Sequence, residues 1–152
     1  MVSLTTVTFP TALIQSIMPL QLEIVTPEAQ VFSDEVDSVV LPGNIGEMGV
    51  LPNHAPLVTT LLPGELSFTK GGATTELALG EGLVEITHHH VHIMTDMAVS
   101  DAEIDEAAVE AALQRAKDSL AQKSNAEEVA SVEAAIAKSL AQLKLKRKRR
   151  NL

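Results

Sequence analysis

The chain has no cysteine, no tryptophan and no tyrosine, and aromatics make up only 2% of its 152 residues. The missing thiols exclude disulfides, thiolate metal centres and a cysteine nucleophile, and they agree with a reducing compartment. The missing rings argue against a nucleic-acid platform or a ligand pocket built on aromatic stacking. With 45% apolar residues, the core must come from Val, Leu, Ile and Ala. Basic residues are also scarce over the first two thirds of the chain. Residues 1–99 carry eleven acids against the single base Lys70, whereas residues 100–152 carry nine acids and ten bases. This length allows one real core with a small appendage. The uneven charge gives the two blocks different physical tasks.

Residues 1–17 hold no charge at all. They lack the basic start of a secretory signal and the arginines of a transit peptide, and they are too rich in Thr, Ser and Gln to span a bilayer. They read as a loose tail, or as an extension upstream of a natural start at Met18, and no function is assigned to them.

Residues 18–99 show period-two alternation and short apolar bursts between turn signals, as in Leu20-Gln21-Leu22-Glu23-Ile24. One apolar run, Val36 to Leu41, leads into a glycine- and proline-rich stretch from Gly43 to Gly64 that is expected to be tight turns joining short buried strands. Within it, Gly46-Glu47-Met48-Gly49 reads as a turn presenting a carboxylate and a thioether. His54 is held in a bend between Pro52 and Pro56. Glu65–Thr69 and Thr75–Leu79 flank Gly71-Gly72 as a hairpin, and Leu83–Thr87 and Val91–Thr95 form another through a histidine cluster. Many short strands without a long helix indicate an antiparallel β-sandwich or barrel.

At Ser100 the period changes to 3.6. Ser100 and Glu103 have capping-box spacing, and Ile104, Ala108, Ala111 or Ala112, and Leu120 follow a helical face. Lys123-Ser124-Asn125 breaks the helix, and Asn125 with Glu128 caps a second one. Its stripe is Val129, Val132, Ile136, Leu140 and Leu143. The short link predicts an antiparallel two-helix hairpin over residues 100–152, making the whole an α+β protein. Its Ala-rich seam buries little apolar area, while its helix propensity is high, so the hairpin is suited to docking and undocking.

Few residues suggest chemistry. His88, His89, His90 and His92 are the one metal-like feature, and a metal-binding β-sandwich enzyme is the alternative reading. Neighbouring strand residues point to opposite faces, however, so a solvated turn is favoured and no metal site is assigned. Lys144, Lys146, Arg147, Lys148, Arg149 and Arg150 form a basic end. The overall pI of about 4.9 weighs against nucleic acid as its partner. His54 has no adjacent nucleophile and reads as a turn histidine.

In order and spacing, LEIVTPEAQVFSDEVDSVVLPG, GEMGVLPNHAPLVTTLLPGEL, ALGEGLVEI, IDEAAVEAALQRAKDSL and IAKSLAQLKL resemble the epsilon subunit of bacterial and chloroplast F-type ATP synthases, over about residues 19–145. That resemblance implies a rotor part with no catalytic residues and no cofactor. The sandwich would grip the gamma subunit near His54 and meet the c-subunit ring through Gly46, Glu47 and Met48. The hairpin would rest on the sandwich or extend into the alpha/beta catalytic head, its basic end opposing ATP hydrolysis. The protein would be peripheral on the cytoplasmic face of the bacterial inner membrane, attached through the complex alone. The family's nucleotide motif is only partly present. Ile104 and Asp105 match, and Arg115 and Lys138 match basic positions, but Ala108, Val109 and Gln142 depart from it. Weak ATP binding or none is expected.

Overall fold

A computed structural model describes residues 18–151, so the N-terminal extension lies outside the described residues. Ten strands come first: β1 Leu20–Val25, β2 Gln30–Val36, β3 Ser38–Gly43, β4 Gly46–Val50, β5 Leu57–Leu61, β6 Gly64–Lys70, β7 Ala73–Leu79, β8 Gly82–Ile86, β9 His90–Thr95 and β10 Ala98–Ser100. They form one continuous sheet in the order β10-β7-β6-β3-β5-β8-β9-β1-β2, with β4 paired to β3. Helices α1 Glu106–Leu120 and α2 Ala126–Arg150 follow. The sheet curls into a sandwich whose interior takes alternate residues of each strand, such as Leu20, Leu22 and Ile24 of β1 and Val91 and Ile93 of β9. Phe32 and Phe68 meet across the layers with ring centroids 4.4 Å apart.

The two hairpins expected around Gly71-Gly72 and the histidines are present as β6–β7 and β8–β9. The sandwich is not wholly antiparallel, because β1 runs parallel to β9. The run Val36–Leu41 is not one strand. It breaks at Asp37, whose N–H donates to the Thr69 carbonyl at 2.7 Å and whose carboxylate accepts from Gly71 N at 2.8 Å. The Gly46–Gly49 segment is strand β4 rather than a turn, and the turn is Asn44-Ile45, entered from Gly43 and left through Gly46 at φ +124°. Ile45 projects wholly into solvent there. β5 is not a buried strand either. Leu61 is buried, but Leu57, on the same face, is exposed at the strand's start, and Val58 faces outward.

The capping box at Ser100 and Glu103 exists, yet it closes a single 3-10 turn, Asp101–Glu103. The first α-helix starts later, with the Asp105 carboxylate accepting from Ala108 N at 3.1 Å. Asn125 caps α2 through Glu127 N at 2.9 Å, not through Glu128, which instead pairs with Lys123. α2 runs to Arg150, so the basic end is helical. Its buried residues are Ser139, Ala141, Leu143 and Leu145, while Leu140 is half exposed. The helix touches two surfaces, α1 and the β6–β7 sheet, and its covered arc is turned accordingly.

Candidate functional site

Three surfaces stand out. The first is the outer face of β5, β8 and β9. Cross-strand neighbours share a face of a sheet, and the register sets Thr60 beside Leu83 and Leu83 beside Met94. Val58, two residues from Thr60, joins them. These side chains are exposed, Val58 by 61%. The same face continues into Glu85, His92 and Glu23, which lie side by side on β8, β9 and β1.

The second surface is split. Glu47 lies beside Pro42 near the exposed tip of the β3–β4 hairpin, and Met48 packs partly against the core. His54 follows the other end of β4. At about 3.3 Å per residue, the five-residue strand separates the two by on the order of 15 Å. Gly46, Glu47 and Met48 therefore share one end of the sandwich and His54 marks the opposite one. His54 Nδ1–H donates to the Ala55 carbonyl at 2.7 Å, and Asn53, in the left-handed region at φ 66°, donates its N–H to the His88 carbonyl at 2.8 Å. The His54 bend is thereby tied to the histidine turn. Within that turn His89 and His90 are held by Thr87, and His92 Nε2 stands 3.8 Å from Glu23. Among the described residues, no three His, Cys, Asp or Glu side chains are grouped to hold an ion, so the metal-enzyme alternative lacks a ligand set.

The third surface is the seat of the hairpin. Its apolar part is small: Ala78, Ile104 and Leu145 are buried, with Met97, Val99 and Val109 beside them. Around it are ion pairs. Lys138 Nζ meets Asp96 at 2.5 Å, directly over Gly80, where a Cβ would stand 1.9 Å from the Asp96 carboxylate. Lys146 Nζ donates to the Asp101 carbonyl at 3.0 Å. Lys148 Nζ lies 2.6 Å from both Glu65 and Glu76, and hydrogen bonds to these two carboxylates push its pKa up to about 12. Arg147 reaches Glu106 and Glu110 on α1, and those hydrogen bonds raise its pKa further. Arg150 also reaches Glu106, at 3.2 Å. The basic end is thus not a frayed, solvated tail. Only its overall charge was visible beforehand, since Glu65 and Glu76 lie 83 and 72 residues away.

The family described as "ATP synthase, Delta/Epsilon chain, beta-sandwich domain" has a sequence model that matches residues 19–101. The ATP synthase epsilon chain of Herpetosiphon aurantiacus is 40% identical over 134 residues, covering 88% of this chain and 98% of that protein. This chain belongs to the ATP synthase epsilon-chain family. The epsilon chain of Desulforamulus reducens is likewise 40% identical, over 124 residues, with 82% and 94% covered. In fold, the chain is similar to one in the Euglena gracilis mitochondrial ATP synthase solved as "OSCP/F1/c-ring in rotational state 1". The TM-score is 0.70 at 24% identity, covering 93% of this chain and 85% of that one. Of the three residues expected from the sequence resemblance at a nucleotide, Asp105 is occupied in capping α1, Lys138 is engaged by Asp96, and Arg115 is exposed on α1. Among the described residues no helix is long and apolar enough to cross a membrane.

Proposed function

We propose that this chain is a non-catalytic subunit of the central stalk, turning with it. In this role residues 18–99 couple proton-driven rotation of the c-subunit ring to ATP synthesis, and residues 100–152 restrain ATP hydrolysis. The observation that carries the reading is the mismatch between a rigid sandwich with an apolar outer face and a hairpin seated on only three buried residues ringed by ion pairs. A continuous apolar core resists the torque a rotor part must transmit. Val58, Leu83 and Met94, exposed beside one another, supply the desolvating contact that a stable grip on the gamma subunit requires. Gly46, Glu47 and Met48, with the tip residue Ile45, face the ring, and the His54 end faces gamma. The two ends of β4 then serve two partners.

The hairpin is the movable part. Burying one leucine fully contributes roughly 1.5–3 kcal/mol, so a seat dominated by Leu145 is within reach of competition from a partner. Extended, α2 carries Lys144, Lys146, Arg147, Lys148, Arg149 and Arg150 towards acidic segments of the alpha/beta head, and the brake on hydrolysis is electrostatic. The subunit sits on the cytoplasmic face of a bacterial inner membrane, held there through the complex. ATP binds the hairpin weakly or not at all, because Ala108 stands where a basic ligand is needed and Asp105 and Lys138 are already engaged, by the Ala108 N–H and by Asp96. A dissociation constant well under about 1 mM for the isolated protein overturns that point.

Reconstitution of the complex with the chain truncated after Ser100 tests the whole reading. Assembly and proton-coupled synthesis are expected to survive while ATP hydrolysis rises. Unchanged hydrolysis removes the inhibitory role. Failed assembly moves the gripping contacts into the hairpin.

A further inference from the structure

Most of the cations of α2 are already spent inside the molecule. Of the six in the basic end, Lys146, Arg147, Lys148 and Arg150 pair with acids of this same chain. Lys148 alone reaches across to neighbouring strands of the sandwich, taking Glu65 from β6 and Glu76 from β7. Both glutamates are largely covered, with side chains 16% and 14% exposed. The other base of the sandwich, Lys70, is engaged by Asp34, so nothing else in that domain neutralises the pair.

We propose that Glu65 and Glu76 are a built-in clasp for Lys148, which keeps the tail's charge neutralised while the hairpin is docked and frees it for an acidic partner only on opening. This rests on the reading of the tail as a partner-binding element. The two uses of Lys148 exclude one another. An ammonium has three protons, and two of them already go to the glutamates. Charge-assisted hydrogen bonds of this length are strong for their kind. The lysine itself remains 43% exposed, however, so dissolved ions and competing acids reach it. The resting position of the hairpin is then set by ionic competition at one lysine. Two residues far from the tail in sequence act as positioning residues for its activity.

The absence of cysteine allows a clean readout in the full-length chain. With dyes attached through Ala73→Cys on the sandwich and Leu140→Cys on α2, single-molecule energy transfer reports docked and open hairpins. Raising NaCl from about 0.05 to about 0.5 M, which shortens the screening length roughly threefold, is expected to increase the open fraction of the parent. The pair Glu65→Gln with Glu76→Gln is expected to raise the open fraction about tenfold at low salt and to flatten the salt response, and Lys148→Gln to do the same from the other side. The pair Glu28→Gln with Glu85→Gln, an equal change in net charge, is expected to leave it unmoved. An unaltered open fraction in either clasp variant overturns the proposal. In the reconstituted complex, the Glu65→Gln, Glu76→Gln chain is expected to inhibit hydrolysis several-fold more strongly, since its tail keeps every cation. Raised opening with unchanged hydrolysis leaves the clasp standing and removes the inhibitory reading instead.

Discussion

The sandwich and the hairpin are held together by opposite means. The sandwich buries sixteen hydrophobic residues in one contiguous cluster, drawn from almost every strand. The hairpin meets it through Ala78, Ile104 and Leu145, with Met97, Val99 and Val109 partly buried beside them, and around this small seat lie salt bridges on partly exposed side chains. Charge screening does not weaken apolar burial, and absent titratable groups pH leaves it unchanged, whereas ion pairs answer to both. One chain thus contains a body closed by apolar burial and, in the function proposed above, an arm whose position responds to its surroundings.

The sharpest way to break this contrast is to cut into each region separately. Leu22→Ala, at a fully buried position, is expected to lower global stability by about 2–5 kcal/mol, seen as a shift of the denaturant midpoint of the β signal. Leu145→Ala, equally buried, is expected to cost a similar amount, about 2–4 kcal/mol, but to spend it on docking alone. Amide exchange in α2 and at Ala78 then speeds up while the sandwich midpoint holds. A common shift in both would mean that the arm and body unfold as one.

Gly80→Ala is the intermediate case. Its new methyl displaces the Asp96 carboxylate and with it the Lys138 pair, so the arm loosens at one anchor and remains seated at Leu145. The expected loss is about 1 kcal/mol, measurable as faster exchange confined to α2 around Lys138. Alkali gives a smaller, graded effect. Lys148 is raised from 10.5 to about 12 when docked, so its contribution is complete below 10.5 and disappears as the pH climbs through about 12. Docking should be flat with pH from neutrality to 10.5 and fall above it, and Lys148→Gln should abolish that fall. Acid gives the smallest. Hydrogen bonds from the Ser100 hydroxyl and then its N–H hold Glu103 below its ordinary 4.5, so this cap contributes above 4.5 and is lost as the pH falls through the lower docked value. Ser100→Ala, which keeps the N–H donor and loses the hydroxyl, should shrink that acid-sensitive step near the junction, read by amide exchange at residues 100–104.

Much of this architecture was legible beforehand because its signals are local. Alternation in β1 and the glycine turn between β6 and β7 required no knowledge of distant residues. β2 went unassigned because Ser33, Asp34 and Glu35 interrupt any apolar alternation, although the strand needs only Phe32 and Val36 turned inward. The apolar run at Leu57–Leu62 was expected to be buried, since composition does not say which face of a sheet another molecule will cover. Leu140 was placed on the docking stripe because a single period describes one contact surface, whereas α2 has two. The cations at the chain's end were plain, but their partners were not. The pairing of Lys148 with Glu65 and Glu76 depends on how the completed sandwich presents its edge, and no spacing rule carries that information. Glu47 and His54 were close in sequence and are distant in space for the same reason: a strand runs between them.

The parallel pairing of β1 with β9 has a consequence for how the protein is made. Residues Gln21–Val25 zip against His90–Met94, so the first strand among the described residues waits, as the chain leaves the ribosome, for nearly the last strand of the domain. Until about 95 residues have emerged, Leu20, Leu22 and Ile24 have only β2 as a companion, and the nascent chain carries an uncovered apolar strand. Closure of the body is therefore a late, long-range event in synthesis, and the helices that follow are assembled onto a scaffold already sealed.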